Sequence, residues 1–145
     1  MIEKIFYKKK LYALIVNGKY RNKKGINFFT PNYTTQQFAY INHKKNYVIK
    51  PHKHKKRLTK ILSTTEVVLI LKGILRVDFY NLKKKYLFSK LLRKNDIILL
   101  VHGAHGFKVI KNVQMLEVKQ GPYSAVKDKI KFENVDEKKI KFKKG

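Results

Sequence analysis

Apolar residues in this chain fall in short runs separated by turn residues, and no long stretch has helical periodicity. That pattern restricts the chain to strands. LYALIV at 11–16, INFFTP at 26–31, QQFAYI at 36–41 and NYVIK at 46–50 read as strands of the first half. VVLILK at 67–72 runs to Gly73, which is expected to make a tight turn. GILRVDFY then alternates, with Leu75, Val77 and Phe79 on one face and Arg76, Asp78 and Tyr80 on the other, which is expected to be solvated or, alternatively, a polar ligand-binding face. YLFSKLL at 86–92, IILLV at 97–101, GFKVI at 106–110 and VQMLEVK at 113–119 complete the set. VVLIL and IILLV have no polar alternation, so both faces of each are expected to be covered. An all-β sandwich or barrel follows.

At 145 residues the chain fits a single domain, with a core at about 46–119, an N-terminal strand extension before it and a lysine-rich tail at about 133–145. The last 18 residues read as a strand or short helix followed by a frayed tail. A hydrophobic fraction of 43% argues against disorder. No apolar run reaches the roughly 18–20 residues of a membrane-spanning helix, and LYALIV is too short for a signal-peptide core. With no cysteine, disulfides and thiolate metal sites are excluded, and a reducing cytoplasm is the expected compartment.

The formal net charge of +26 raises the question of a polyanionic partner. The excess is carried by 31 lysines and only 4 arginines, amid abundant Ile, Asn, Tyr and Phe, the residues of A+T-rich codons. Base readers rely on the arginine fork, so a solvated basic surface is expected rather than specific nucleic-acid binding.

Three histidines carry the candidate chemistry. His52 and His54 lie two apart in Pro-His-Lys-His, which on an extended segment points both imidazoles the same way. His105, in Gly-Ala-His-Gly, can supply a third nitrogen, and Glu66 lies between them in the chain. Three neutral imidazoles, with or without a carboxylate, suit Fe(II), Mn(II), Ni(II) or Zn(II) and leave coordination positions open. Glu117, inside VQMLEVK, needs a partner if it faces inward and is otherwise an outward residue near a lysine. His102 and His43 read as loop residues, and Asp96 as a turn residue that bonds local backbone. Gln37, Tyr40, Arg76, Phe107 and Met115 are candidate pocket residues, and Tyr123 is a candidate lid or dimer contact.

The order Pro51-His52-Lys53-His54, Glu66, Gly73, then Asn95-Asp96, IILLV and Gly103-Ala104-His105 resembles the two motifs of the cupin superfamily, in particular a small branch of single-domain bacterial members. The resemblance covers roughly residues 46 to 119. The gap from His54 to Glu66 is longer than the family pattern, and the second motif lacks its proline. The resemblance implies a jelly-roll barrel (double-stranded β-helix), His52, His54 and His105 as metal ligands with Glu66 as a fourth, and a homodimer. It also implies a small polar substrate, a sugar or a phosphorylated or nucleotide-linked sugar, handled by isomerase or epimerase chemistry. An iron-dependent dioxygenase and a non-catalytic binding or sensor protein are the alternatives.

Overall fold

The computed structural model describes residues 1–21, 24–124 and 128–143. Asn22 and Lys23 of the turn expected after the first strand lie outside the described residues, as do 125–127 and the last two residues of the lysine-rich tail. The chain forms two compact units: Met1–Tyr20 with Thr64–Gly145, and Arg21–Ser63.

The larger unit is all-β. Its strands are β1 (Ile2–Tyr7) and β2 (Lys10–Val16), and in the second half of the chain β5 (Glu66–Tyr80), β6 (Tyr86–Arg93), β7 (Ile97–Leu100) and β8 (Ala104–Lys119). They form one antiparallel sheet in the order β1-β2-β7-β5-β6, with β8 on the other edge of β5. Two expected strands are here one: GFKVI and VQMLEVK are continuous in β8. β1 was not anticipated, because the turn that makes it carries no usual turn residue. Lys8 and Lys9 both take positive φ (47° and 63°), the geometry of a two-residue hairpin turn normally given to Asn or Gly.

The register requires the sheet to curl strongly. Leu100, ending β7, pairs with Glu66, and Ala104, starting β8, pairs with Tyr80 at the opposite end of β5. A straight β5 would hold those ends about 46 Å apart, whereas the three linking residues let Leu100 and Ala104 lie no more than about 14 Å apart. β5 therefore bends, and it bends at Gly73. The expected tight turn is instead a bulged kink inside a strand of 15 residues, where the register with β8 slips between Ile70 and Leu75. Gly73 has φ +88°, and a Cβ there would meet the Asn112 carbonyl oxygen at 2.0 Å. The slip also changes parity, so Val68 and Ile70 face the core before the kink and Leu75, Val77 and Phe79 after it. Tyr12, Ala13, Ile98 and Leu92 pack against them.

The face of Arg76, Asp78 and Tyr80, expected to be solvated, is buried: the three are 4%, 4% and 3% exposed. The C-terminal segment covers it: the expected short helix is a 3-10 turn at Glu137–Lys139, and the order continues to residue 143, further than a frayed tail would allow. The Val135 amide donates to the Tyr80 hydroxyl, Phe132 packs edge-on against the same ring, and residues 141–143 pair with Ser89.

Among its described residues the smaller unit holds one hairpin, β3 (Gly25–Phe28) with β4 (Ala39–Asn42). NYVIK, expected as a strand, is not one. Asn46 takes φ 67° in a turn closed by Tyr47 N–H to the Lys44 carbonyl, and Val48 and Ile49 are exposed without a partner strand. Residues 48–61 form no regular structure.

Candidate functional site

The bend in β5 brings together two residues that its straight form would separate. Glu66 opens β5, and His105 lies opposite Phe79 near its other end, yet His105 Nε2 lies 3.0 Å from Glu66 Oε2. Both side chains are on the core-facing side, as their pairing neighbours Val68 and Phe79 require. The Glu66 side chain is 8% exposed and that of His105 27%, so the carboxylate is the inner member and the ring faces outward. The hydrogen bond from His105 holds the Glu66 carboxyl below the usual carboxylate range, outweighing burial, with help from the charges of His105, Lys129 and Lys119. Lys119 is the direct cross-strand partner of Glu66.

With Nε2–H donating to Glu66, the lone pair of the His105 ring is on Nδ1. A carboxylate behind an imidazole fixes its tautomer and its orientation. That arrangement suits proton transfer, or ligation through the outer nitrogen. β8 continues the same face: Phe107 opposite Val77, Met115 opposite Ile70 and Glu117 opposite Val68. Phe107 stacks obliquely on His105 with ring centroids 5.2 Å apart. All three of these residues are exposed, and Glu117 makes no ion pair among the described residues.

The other sequence candidates fall elsewhere. His52 and His54 belong to the smaller unit, exposed, with rings edge-to-face at 5.4 Å and His52 Nδ1 bonded to the Lys50 carbonyl. The candidate ligands thus form a His–His pair in one unit and a His–Glu pair in the other. No group of three or more His, Asp or Glu side chains fit to hold a metal ion occurs among the described residues. Gln37 braces the turn before β4, accepting from Thr30 Oγ1 and donating to the Pro31 and Thr34 carbonyls. Tyr40 is half-buried on β4 opposite Asn27. His43 stacks on Tyr47 at 3.9 Å, with both ring nitrogens buried and unbonded. His102 sits edge-on against Tyr12, and burial holds its pKa below the usual histidine value, with Lys10 adding to the effect. Asp96 accepts from the Arg93 amide, as its turn position suggests, and from the distant Gly18 amide.

Arg76 is a structural residue. Four of its five N–H donors are engaged by Asp78 and Glu137, the nearest contact being 2.7 Å. Its pKa is raised, chiefly by Glu137, while Glu137, also bonded to Lys108, is pulled down to about 2. Ser89 donates to Asp78 from β6. The spacing of Arg76 and Asp78 signalled a shared face, but nothing local pointed to Glu137, 61 residues away.

No protein-family model, curated protein or solved structure matches this chain. No helix among the described residues is long and apolar enough to cross a membrane.

Proposed function

We propose that the chain is a cupin-type jelly-roll protein that acts on a small polar molecule at the Glu66–His105 pair, by proton transfer of the isomerase or epimerase kind. The observation that carries this reading is the pair itself: a buried carboxylate behind a half-exposed imidazole, on a strand face shared with Phe107, Met115 and Glu117. In this chemistry His105 Nδ1 removes a proton from the carbon next to a carbonyl. The C–H electron pair moves into an enediolate, and the proton returns to the neighbouring carbon or the opposite face. Lys119, the cross-strand partner of Glu66, would favour the developing negative charge. A sugar carrying a phosphate or a nucleotide diphosphate suits that charge better than a neutral sugar, and the cytoplasm is where such substrates occur.

The test is solvent-deuterium exchange into a panel of sugar phosphates and nucleotide sugars, followed by NMR. Exchange that disappears in His105→Gln while the fold is retained supports the reading. No exchange with any member, together with equal calorimetric affinity for a sugar and its phosphate, sinks it.

A metal-dependent version of the reading is favoured by a second observation, the exposed His52–His54 pair. His52 with His54, and separately His105 with Glu66, offer donors that suit Fe, Mn, Ni or Zn, which would supply Lewis acidity at a bound carbonyl or, with iron, dioxygenase chemistry. Stoichiometric metal in the purified protein, lost in His52→Ala or in His105→Ala, supports this version. Metal that is absent and cannot be loaded leaves the metal-free mechanism or a binding and sensing role. The homodimer remains part of the proposal and is checked by sedimentation.

A further inference from the structure

At the kink of β5, away from the Glu66–His105 end, a cleft of about 780 Å³ opens on the larger unit. That volume falls in the range of small-ligand sites. Lys72 of β5, Arg93 and Lys94 at the end of β6, and Lys111 of β8 line it, and no Asp or Glu does. The register places three residues in one row across the sheet: Arg93, Ile74 and Lys111. Neighbouring strands lie about 4.8 Å apart, so the backbones of Arg93 and Lys111 stand about 10 Å apart with Ile74 between them.

The adjacent row shows what this one lacks. There Arg76 pairs across the sheet with Lys108, and Glu137 neutralises both, at 2.7 and 2.8 Å. At the kink no carboxylate of the described residues plays that part. Asp96 is close in sequence, but its oxygens accept from the Gly18 and Arg93 backbone amides. Lys72, Arg93, Lys94 and Lys111 have no ion-pair partner among the described residues. Of the two arginines in this unit, Arg76 is buried and paired, whereas the exposed guanidinium of Arg93 keeps its fork for an outside anion.

We infer that this cleft binds a chain of linked phosphates, such as inorganic polyphosphate or the phosphate tail of a nucleotide, between Arg93 and Lys111. Four cations contributed by three strands and one turn exceed what one phosphate of about two negative charges can satisfy, and their row favours an extended anion. Ile74 and Ile110 give the cleft apolar contact for whatever the chain is attached to. The site does not depend on the acid–base reading of Glu66 and His105.

The experiment titrates tripolyphosphate into the protein by calorimetry at about 0.15 M salt, where diffuse surface attraction is screened beyond about 8 Å. One site per chain is expected. Replacing Lys72, Arg93, Lys94 and Lys111 by Gln weakens binding by about tenfold or more. Replacing Lys53, Lys55, Lys56 and Lys60 by Gln removes the same charge elsewhere and changes affinity by less than about twofold. Amide-shift mapping on the unmodified protein decides the matter even if the cleft variant fails to fold, with shifts expected at Gly73, Lys94, Lys111 and Asn112. Absent binding, equal loss in both variants, or shifts spread over the surface overturn the proposal. So does a single-stranded oligonucleotide that shifts these amides when tripolyphosphate does not.

Discussion

The two units are built from opposite charge inventories. Residues 21–63 contain nine lysines, two arginines and no Asp or Glu, so every carboxylate of the chain belongs to the larger unit. Where carboxylates are present, cations go inside: Arg76 is buried against Asp78, and Lys90, 7% exposed, meets Glu3 at 2.6 Å. Where they are absent, the chain cannot bury a cation without leaving it unpaired. The smaller unit accordingly forms one short hairpin and a long irregular stretch in which Leu58 and Leu62 are almost fully exposed along with the lysines. Paired charge lets a basic chain close a second layer over a sheet, and unpaired charge leaves a surface.

This contrast is broken or sharpened by matched substitutions. The largest effect is expected for Phe79→Ala, which removes a ring 1% exposed at the centre of the larger unit and costs about 3–5 kcal/mol in a chemical denaturation experiment. Its counterpart Phe28→Ala, at a ring 61% exposed in the smaller hairpin, is expected to cost under about 0.5 kcal/mol. Comparable losses at both positions would refute the distinction between a packed unit and an unpacked one.

Next comes His105→Ala, which leaves the Glu66 carboxylate buried without its donor. A loss of about 1–3 kcal/mol is expected, together with a return of the Glu66 carboxyl toward or above the usual carboxylate range in an NMR titration. A Glu66 titration unchanged by the substitution would show that the 3.0 Å contact is not made in solution.

Acid gives a third, broader test. Glu137 has its pKa depressed to about 2 and Glu66 is depressed as well, so each binds its proton more weakly folded than unfolded. Their contribution to stability is complete above the ordinary carboxylate range and is lost as pH falls from there toward about 2. Thermal melts followed by circular dichroism should show a falling midpoint over that window, shallower in Glu137→Gln. The smaller unit has no carboxylate to protonate, so amide exchange in β3 and β4 should lack this dependence. The smallest expected effect is that of Lys53→Gln and Lys55→Gln, exposed residues outside any strand whose replacement should leave the melting midpoint essentially unchanged.

Strand content was readable because burial writes a period of two into the chain, and Leu75, Val77 and Phe79 kept that alternation in the structure. The sequence also presented His105 and Glu66 as site candidates, each beside an apolar run. Their contact was not readable, since it arises from a bend at Gly73 that carries two residues 39 positions apart to within a hydrogen bond. The polar face of Arg76, Asp78 and Tyr80 misled for the same reason. Alternation reports which side faces the first core, and only the docking of Glu137 and Phe132 reveals that the second side is covered too. Local sequence thus determined the all-β class, the core-facing side of Leu75, Val77 and Phe79, and the supply of titratable groups. The kink, the two-sided burial and the unpaired row of Arg93 and Lys111 were decided by tertiary structure, because each depends on pairing register between residues distant in the chain.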